Sequence, residues 1–298
     1  MIFEYNLEYL CCVRRDRHKT GPCKSFTFTS EIFMLLIQII TLAIIQGLTE
    51  FLPVSSSAHL LLIPVFTGWP DQGLAFDVGL HAGSLVAVII YFRKEIAEMT
   101  SAWWNSIFKR EFTDNARLAW AIILGTIPVG LAGLFMRDIV AGLFRSPIVT
   151  AGGLIGFGLL LGWADWRKRG ERSIRDIRWA DVFFIGCAQA LALIPGTSRS
   201  GITITAGLIS GFSRKEAARF SFLLSIPVIA LAGLLEARSL IQTGPDADWS
   251  AVIIGMVISG ITAFACIHYF LAFIRRIGMQ PFVAYRVALG ILLLVLYL

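Results

Sequence analysis

Six uninterrupted apolar runs, at about 75–92, 118–136, 148–164, 217–236, 250–274 and 282–298, leave this chain few folds to choose from. A helix needs ~17–25 residues to cross a bilayer, and each run supplies them. Water cannot serve backbone N–H and C=O groups in the hydrocarbon core, so a span is a helix or part of a closed barrel. The runs are continuous rather than alternating, which selects helices. Only 15% of the 298 residues are charged, against roughly 25% in a soluble domain. That deficit extends along the whole chain, so the expectation is an all-α integral membrane protein rather than an anchored soluble one. The net charge of +6 then reports orientation. No soluble basic segment is left over to bind nucleic acid.

Two further apolar stretches are interrupted. Residues 34–66 are broken by Gln46, Glu50, Pro53 and the serines at 55–57; residues 180–211 are broken by Gln189, Pro195, Gly196 and the run from Thr197 to Gly201. Neither half of either stretch is long enough to cross comfortably, so both read as re-entrant helical hairpins. Irregular backbone survives at membrane depth where protein or a wet cavity surrounds it. Arginines and lysines between 165 and 179 mark that linker as cytoplasmic by the positive-inside rule. Counting crossings from it puts 93–117, 213–219 and Arg275–Arg276 on the same side, provided that 180–211 re-enters, and puts 238–249 outside. Each half is therefore one hairpin followed by three spans: 34–164, then 180–298 after the basic linker. An odd number of crossings inverts the second copy, an architecture of inverted repeats with broken helices.

Residues 1–33 are polar and mixed, with Arg14, Arg15, Arg17, His18 and Lys19 clustered. They lack the apolar core and small-residue cleavage site of a signal peptide. Membrane character begins at Ile32, with Met34 at the edge, so residues 1–33 read as a disordered extension or a mis-assigned start. The cysteines, at 11, 12, 23, 187 and 266, have no zinc-type spacing. Cys187 and Cys266 lie in apolar helices and read as small buried hydrophobes.

The interruptions carry the chemistry. In the first, residues 46–59, Gln46 and Glu50 are four apart and share a helix face. A carboxylate at that depth is costly, which makes it a functional candidate. After Pro53, Ser55, Ser56 and Ser57 open a short helix, whose N-terminal N–H groups suit an anion; His59 sits in its first turn. In the second, residues 194–203, Gly196 and Gly201 permit close backbone approach, Ser198, Ser200 and Thr203 offer hydroxyls, and Arg199 offers a fork matched to phosphate. Serines in membrane helices often only bond across helices. Glu50, the serines, His59 and Arg199 in two matched interruptions point instead to one shared, phosphate-handling site. His81 and His268 read as packed or cavity-lining. Asp77 and Asp165 read as interfacial anchors or as supports to the site.

These residues carry a family resemblance. The chain resembles the bacterial undecaprenyl-pyrophosphate phosphatases of the bacitracin-resistance type. Gln46 and Glu50 match their first motif; Ser55, Ser56 and His59 match a V-S-S-x-x-H element; Pro195, Gly196, Ser198, Arg199, Ser200 and Thr203 match P-G-x-S-R-S-x-x-T. The likeness covers about 34–298. It implies an enzyme of the bacterial cytoplasmic membrane that hydrolyses undecaprenyl pyrophosphate to the monophosphate, recycling the carrier for cell-wall synthesis. It also implies a divalent cation, Mg²⁺ or Ca²⁺, and a site open to the outer, periplasmic face. On that footing Arg199, with Ser57, Ser198, Ser200 and Thr203, holds the pyrophosphate. Glu50 holds the cation with Gln46 assisting, Ser56 is the nucleophile and His59 its base. Direct attack by His59, or by water activated at Glu50, stays open. Implied partners are the polyprenyl pyrophosphate and the bilayer; a homodimer is compatible with the sequence, which does not fix the oligomeric state. A lipid-phosphate transporter using the same inverted repeat is the alternative function. A type-2 phosphatidic acid phosphatase is not, because the histidine expected soon after the arginine is absent: the next one is His268.

Overall fold

The computed structural model describes residues 25–70, 72–135, 146–167, 170–243 and 248–297. Their regular structure is helical. In chain order the helices are α1 (Ser25–Thr49), α2 (Ser56–Thr67), α3 (Leu74–Tyr91), α4 (Arg93–Phe108), α5 (Asp114–Phe135) and α6 (Pro147–Arg167). There follow α7 (Trp179–Ala190), α8 (Arg199–Ile209), α9 (Arg214–Thr243), α10 (Trp249–Ile277) and α11 (Gln280–Tyr297), with 3₁₀ turns at Ile174–Asp176 and Leu191–Leu193. By its internal contacts the chain divides into a short unit, Met1–Ile37, and a body, Gln38–Leu298. All site residues lie in the body. Of the extension expected over 1–33, residues 1–24 lie outside the described residues; from Ser25 the backbone is already helical.

Six helices, α3, α5, α6, α9, α10 and α11, are long and apolar enough to cross a membrane. They coincide with the six runs of the sequence. Two shorter apolar helices, Phe33–Thr49 within α1 and Trp179–Leu193, lead into the interruptions. At ~1.5 Å per residue Trp179–Leu193 falls short of the ~30 Å of a hydrocarbon core, in keeping with re-entrance of the second interruption.

The two interruptions are built to one register. Ser55 lies nine positions after Gln46, and Ser198 nine positions after Gln189. Both serines take the left-handed region, at φ 74° and 67°, immediately before a new helix starts. Both glutamines are fully buried, and the Oε1 of each finds no hydrogen-bond partner among the described residues. Helix pairing follows the same exchange of halves. The end of α1 meets α10 where a side chain on Gly47 would collide with Ser259 and Thr262; α7 meets α5 where one on Gly186 would collide with Gly125. Helix α3 packs along α10, α5 against α9, and α6 against its counterpart α11. Small residues let these backbones approach, as expected where packing rather than hydrophobicity joins helices in lipid.

Three departures from the sequence reading stand out. The expected loop at 93–117 holds an amphipathic helix, α4, whose apolar side presents Met99 and Trp103 to the core. Several cationic residues read only as orientation signals are structural ties as well. Arg172 binds Asp181 (2.7 Å) and the Ser210 carbonyl (2.6 Å), Arg214 grips the buried Asp165, and Arg219 spans Glu95 and Glu216 (2.9 Å each). Asp165, which also accepts from the Met279 N–H, is thereby a junction of α6, α9 and α11 rather than part of the site. Cys266 is buried as expected, but Cys187 is exposed on the outward side of α7, beside Phe183 and Phe184.

Candidate active site

Helix α1 stops where Pro53 removes a donor, and that stop leaves Glu50 on a turn rather than in a ladder. Its backbone N–H still bonds Gln46 O at 3.0 Å, so the carboxylate stays on the Gln46 face. Four groups converge on it. Gln46 Nε2 donates to Oε2 at 2.9 Å, Ser56 Oγ donates to the same oxygen at 3.0 Å, and Arg199 Nη2 donates to Oε1 at 2.8 Å. His81 Nε2 lies 3.7 Å from Oε2. Glu50 is 8% exposed and the Arg199 side chain 13%. A charge pair taken this far from water persists when further hydrogen bonds support it; here Gln46 and Ser56 serve the carboxylate, and the Ser221 carbonyl serves the guanidinium. The two interruptions, 149 residues apart in sequence, are joined through this pair.

A cavity of about 290 Å³ opens on the pair. Ser55, Ser56 and Ser57 line it from the first interruption, Leu193, Ser198 and Arg199 from the second. His81 enters from α3, and Val228 and Glu236 from α9. Arg199 donates once to Glu50 and once to the Ser221 carbonyl (3.3 Å). A guanidinium has five N–H donors, so others remain for a ligand.

The expected site residues divide on this geometry. Glu50, Ser56, Ser57, Ser198 and Arg199 come together around the cavity. Ser200 and Thr203 do not. Ser200 Oγ donates to Leu52 O (2.9 Å), and Thr203 Oγ1 bonds Arg199 O (2.8 Å) and Ser221 Oγ (2.7 Å). Both sit inside α8, where a hydroxyl turns back to its own helix or across to a neighbour. Ser198 caps α8 by accepting from the Gly201 N–H (3.1 Å). His59 also departs from the expected base role. Its Nδ1 lies 2.7 Å from Ser55 O and its Nε2 2.6 Å from Tyr285 Oη. A carbonyl only accepts, so Nδ1 carries the proton and the Nε2 lone pair is taken up by the tyrosine hydroxyl. His59 thus braces the left-handed Ser55 turn that aims Ser56.

Two functional side chains were missed or undervalued in the sequence. His81, read as packed or cavity-lining, has Nδ1 at 2.8 Å from Asp77 O, which fixes the proton there. Its Nε2 is turned to Glu50 Oε2, 3.7 Å away. Arg286 was not singled out at all. It is completely buried and donates to five carbonyls: Pro53 in the first interruption, Gly196 and Thr197 in the second, and Gly153 and Leu154 of α6. A charge alone inside the apolar run of α11 was the available signal. Gly201 is bare because Arg286 lies against it, and Gly196 because α6 does. The close approach those glycines permit is to protein, not to phosphate.

The donor set bears on the expected cation. Among the described residues no group of three His, Cys, Asp or Glu could hold a metal. Mg²⁺ is commonly held by one or two carboxylates together with substrate phosphates and water. Glu50 fits as that carboxylate for a cation that arrives with a pyrophosphate. Gln46 turns its N–H₂ to Glu50, and its Oε1, buried and without a partner among the described residues, is the neutral oxygen that such a cation could use.

A family model described as "Bacitracin resistance protein BacA" matches residues 39–292. The undecaprenyl-diphosphatase of Nitrosococcus oceani is 56% identical over 264 residues, covering 89% of this chain and 100% of that protein. Undecaprenyl-diphosphatase 2 of Stutzerimonas stutzeri is 57% identical over 267 residues, 89% of this chain and 99% of its own. The undecaprenyl-diphosphatase of Thioalkalivibrio sulfidiphilus is 54% identical over 265 residues, 89% and 100%.

Proposed function

The chain belongs to the bacitracin resistance protein BacA family, and from that premise we propose that it is an undecaprenyl-diphosphatase acting at the Glu50–Arg199 cavity. It hydrolyses a membrane-borne polyprenyl pyrophosphate to the monophosphate and inorganic phosphate. The observation that carries the reading is the Ser56 hydroxyl donating to Glu50 while Arg199 holds the other carboxylate oxygen.

Phosphoryl transfer asks mainly for positioning and charge neutralisation. The terminal phosphate sits against the free N–H donors of Arg199 and the hydroxyls of Ser57 and Ser198. Ser56 Oγ attacks the terminal phosphorus as its proton passes to Glu50 Oε2. An O–P bond forms, the P–O–P bridge breaks, and the prenyl monophosphate leaves with the bridging oxygen. Water then attacks the phosphoserine phosphorus, giving a proton to His81 Nε2; the P–Oγ bond breaks, Ser56 Oγ takes its proton back from Glu50, and inorganic phosphate departs. Glu50 would be the protein ligand of a divalent cation, which when bound supplies further neutralisation of the pyrophosphate charge. Gln46 orients the carboxylate and His59 orients the serine turn.

The protein resides in the bacterial cytoplasmic membrane, its cationic loops inside and its cavity toward the outer face, as the loop charges favour. Recycling a lipid carrier for cell-wall synthesis is the role such a reaction serves. Phosphate release by purified protein from undecaprenyl pyrophosphate in micelles, with and without chelator, tests the activity. Rapid quench with substrate labelled in the terminal phosphate tests the route. Label on Ser56 is expected, and release without any bound label would move the attack to water.

A further inference from the structure

A groove of about 360 Å³ lies between α3 and α10, and none of its lining residues borders the Glu50–Arg199 chamber. Its floor is bare backbone. Gly83 and Gly260 let the two helices touch there, and a side chain at Gly83 would strike the Met256 carbonyl. Elsewhere along the same contact Ser84 and Ser259 share a hydrogen bond (3.1 Å), and Ser259 Oγ donates to Leu80 O (2.9 Å). These bonds fix the helix pair, so the groove is pre-formed. Its walls are Val86, Ile90, Val257, Ile261 and Phe264, all exposed, side chains that meet lipid in a spanning helix pair.

The two ends of the groove are unlike. One end, at Gly83, is midway along α3; the other, at Ile90, is next to the last residue of that helix. From Gly83 to Ile90 the helix rises about 10 Å, most of the ~15 Å of one leaflet's hydrocarbon. Arg93 stands at the Ile90 end. Its Nη1 donates to Ile90 O at 3.1 Å, which uses one of the five guanidinium donors and brings the cation to the rim. Tyr91 is edge-on to Phe264, with ring centroids 5.4 Å apart, and edge-on to His268, one turn further along α10, at 6.3 Å. The groove is therefore apolar at membrane depth and basic and aromatic at the interface. The loop charges favour this side as cytoplasmic.

We propose that the α3–α10 groove binds an anionic phospholipid of the cytoplasmic leaflet, with an acyl chain between the two helices and the phosphate at the rim of Arg93, Tyr91 and His268. Charge complementarity selects the occupant. A basic rim above an apolar groove between spanning helices matches a headgroup of net negative charge. A zwitterionic lipid brings no net charge to Arg93. A second copy of the chain, seated on this face about an axis along the membrane normal, would set one Arg93 at the level of the other, cation toward cation. The inference is independent of the diphosphatase reading.

The test places the full-length protein in phosphatidylcholine nanodiscs containing a small fraction of phosphatidylglycerol with a diazirine in its acyl chain. After photolysis the labelled peptides are mapped. Labelling within 83–90 and 256–264 is expected, displaced by excess phosphatidylglycerol and not by phosphatidylcholine. Arg93→Gln should lower it about fivefold, the worth of one cation near an anionic headgroup. Val257→Trp, which fills the groove from an exposed wall, should abolish it. Both variants should release phosphate from undecaprenyl pyrophosphate in micelles at about the wild-type rate. Equal labelling by a phosphatidylcholine probe with the same diazirine would mean unselective bilayer lipid and overturn the proposal. Labelling displaced only by undecaprenyl phosphate, or a cross-linked pair of chains in place of lipid adducts, would overturn it too. Should Val257→Trp fold poorly, the comparison of the two probes on the unmodified chain still decides. Failure of the unmodified chain to release phosphate would remove the hydrolase reading and leave that comparison untouched.

Discussion

Arg286 offers the sharpest perturbation, because one fully buried side chain holds both interruptions at once. Its guanidinium reaches Pro53 O at 3.3 Å, Gly196 O at 2.9 Å and Thr197 O at 2.8 Å, besides two carbonyls of α6 at 3.2 Å. Arg286→Met keeps most of the volume and strands three acceptors, Pro53 O, Gly196 O and Thr197 O, while the two α6 carbonyls keep their own helical N–H groups. Each orphaned buried acceptor costs ~1–3 kcal/mol, so the gross loss is at least about 3 kcal/mol. Removing an uncompensated buried charge returns several kcal/mol. The net destabilisation is then ~1–4 kcal/mol, too little to unfold the helices but concentrated where the backbone has no alternative ladder. The expected result is a modest fall in melting temperature with a large fall in turnover. Amide hydrogen exchange should rise in both 50–56 and 194–199. Arg286→Lys, with a single nitrogen, should protect one interruption and not both. Wild-type phosphate release by Arg286→Met, with unchanged exchange in both segments, would refute the keystone role.

Other outcomes follow from the same geometry. His59→Ala should lower turnover at least tenfold by releasing the Ser55 turn, and His59→Asn, whose amide can still reach that carbonyl, should recover most of the rate; equal losses would mean His59 acts as a base. His81→Ala should cost roughly 10²-fold in kcat, the usual worth of a general base, measured as steady-state phosphate release. Gln46→Glu should keep turnover while the two carboxyls share one proton in place of the amide donor, and should lose it as pH rises and that proton departs, visible in a pH–rate profile. Gly83→Leu should lower the melting temperature in detergent, because even a Cβ there collides with the Met256 carbonyl, and overpacking costs typically 1–3 kcal/mol.

Much of this was legible in the sequence because lipid is an unforgiving solvent. Continuous apolar runs have one solution, so six spans could be read nearly to their ends. Charged and proline-rich interruptions inside such runs had to be functional or ruinous, which singled out Glu50 and Arg199. What sequence could not show was direction. Ser200 and Thr203 sit beside Arg199 in the motif, yet the helix turns their hydroxyls inward. His59 follows the serines by one turn, yet both its nitrogens are occupied, and the histidine that faces Glu50 comes from α3, in a different part of the chain. Arg286 lies far from both motifs, and its importance appears only once Pro53, Gly196 and Thr197 are brought around it. The α4 helix was hidden because its apolar face is interrupted by charge, which reads as loop until something packs on it.

The claim that the two interruptions make one phosphoryl-transfer site rests on Arg199, contributed by the second half to the carboxylate of the first. The initial rate of phosphate release from undecaprenyl pyrophosphate by purified Arg199→Ala, compared with wild type at saturating substrate, tests it most directly. An arginine neutralising a transferring phosphoryl group is worth ~10³–10⁵ in rate, so a folded variant should lose at least about a thousandfold. A folded variant that hydrolyses within tenfold of wild type would contradict the site.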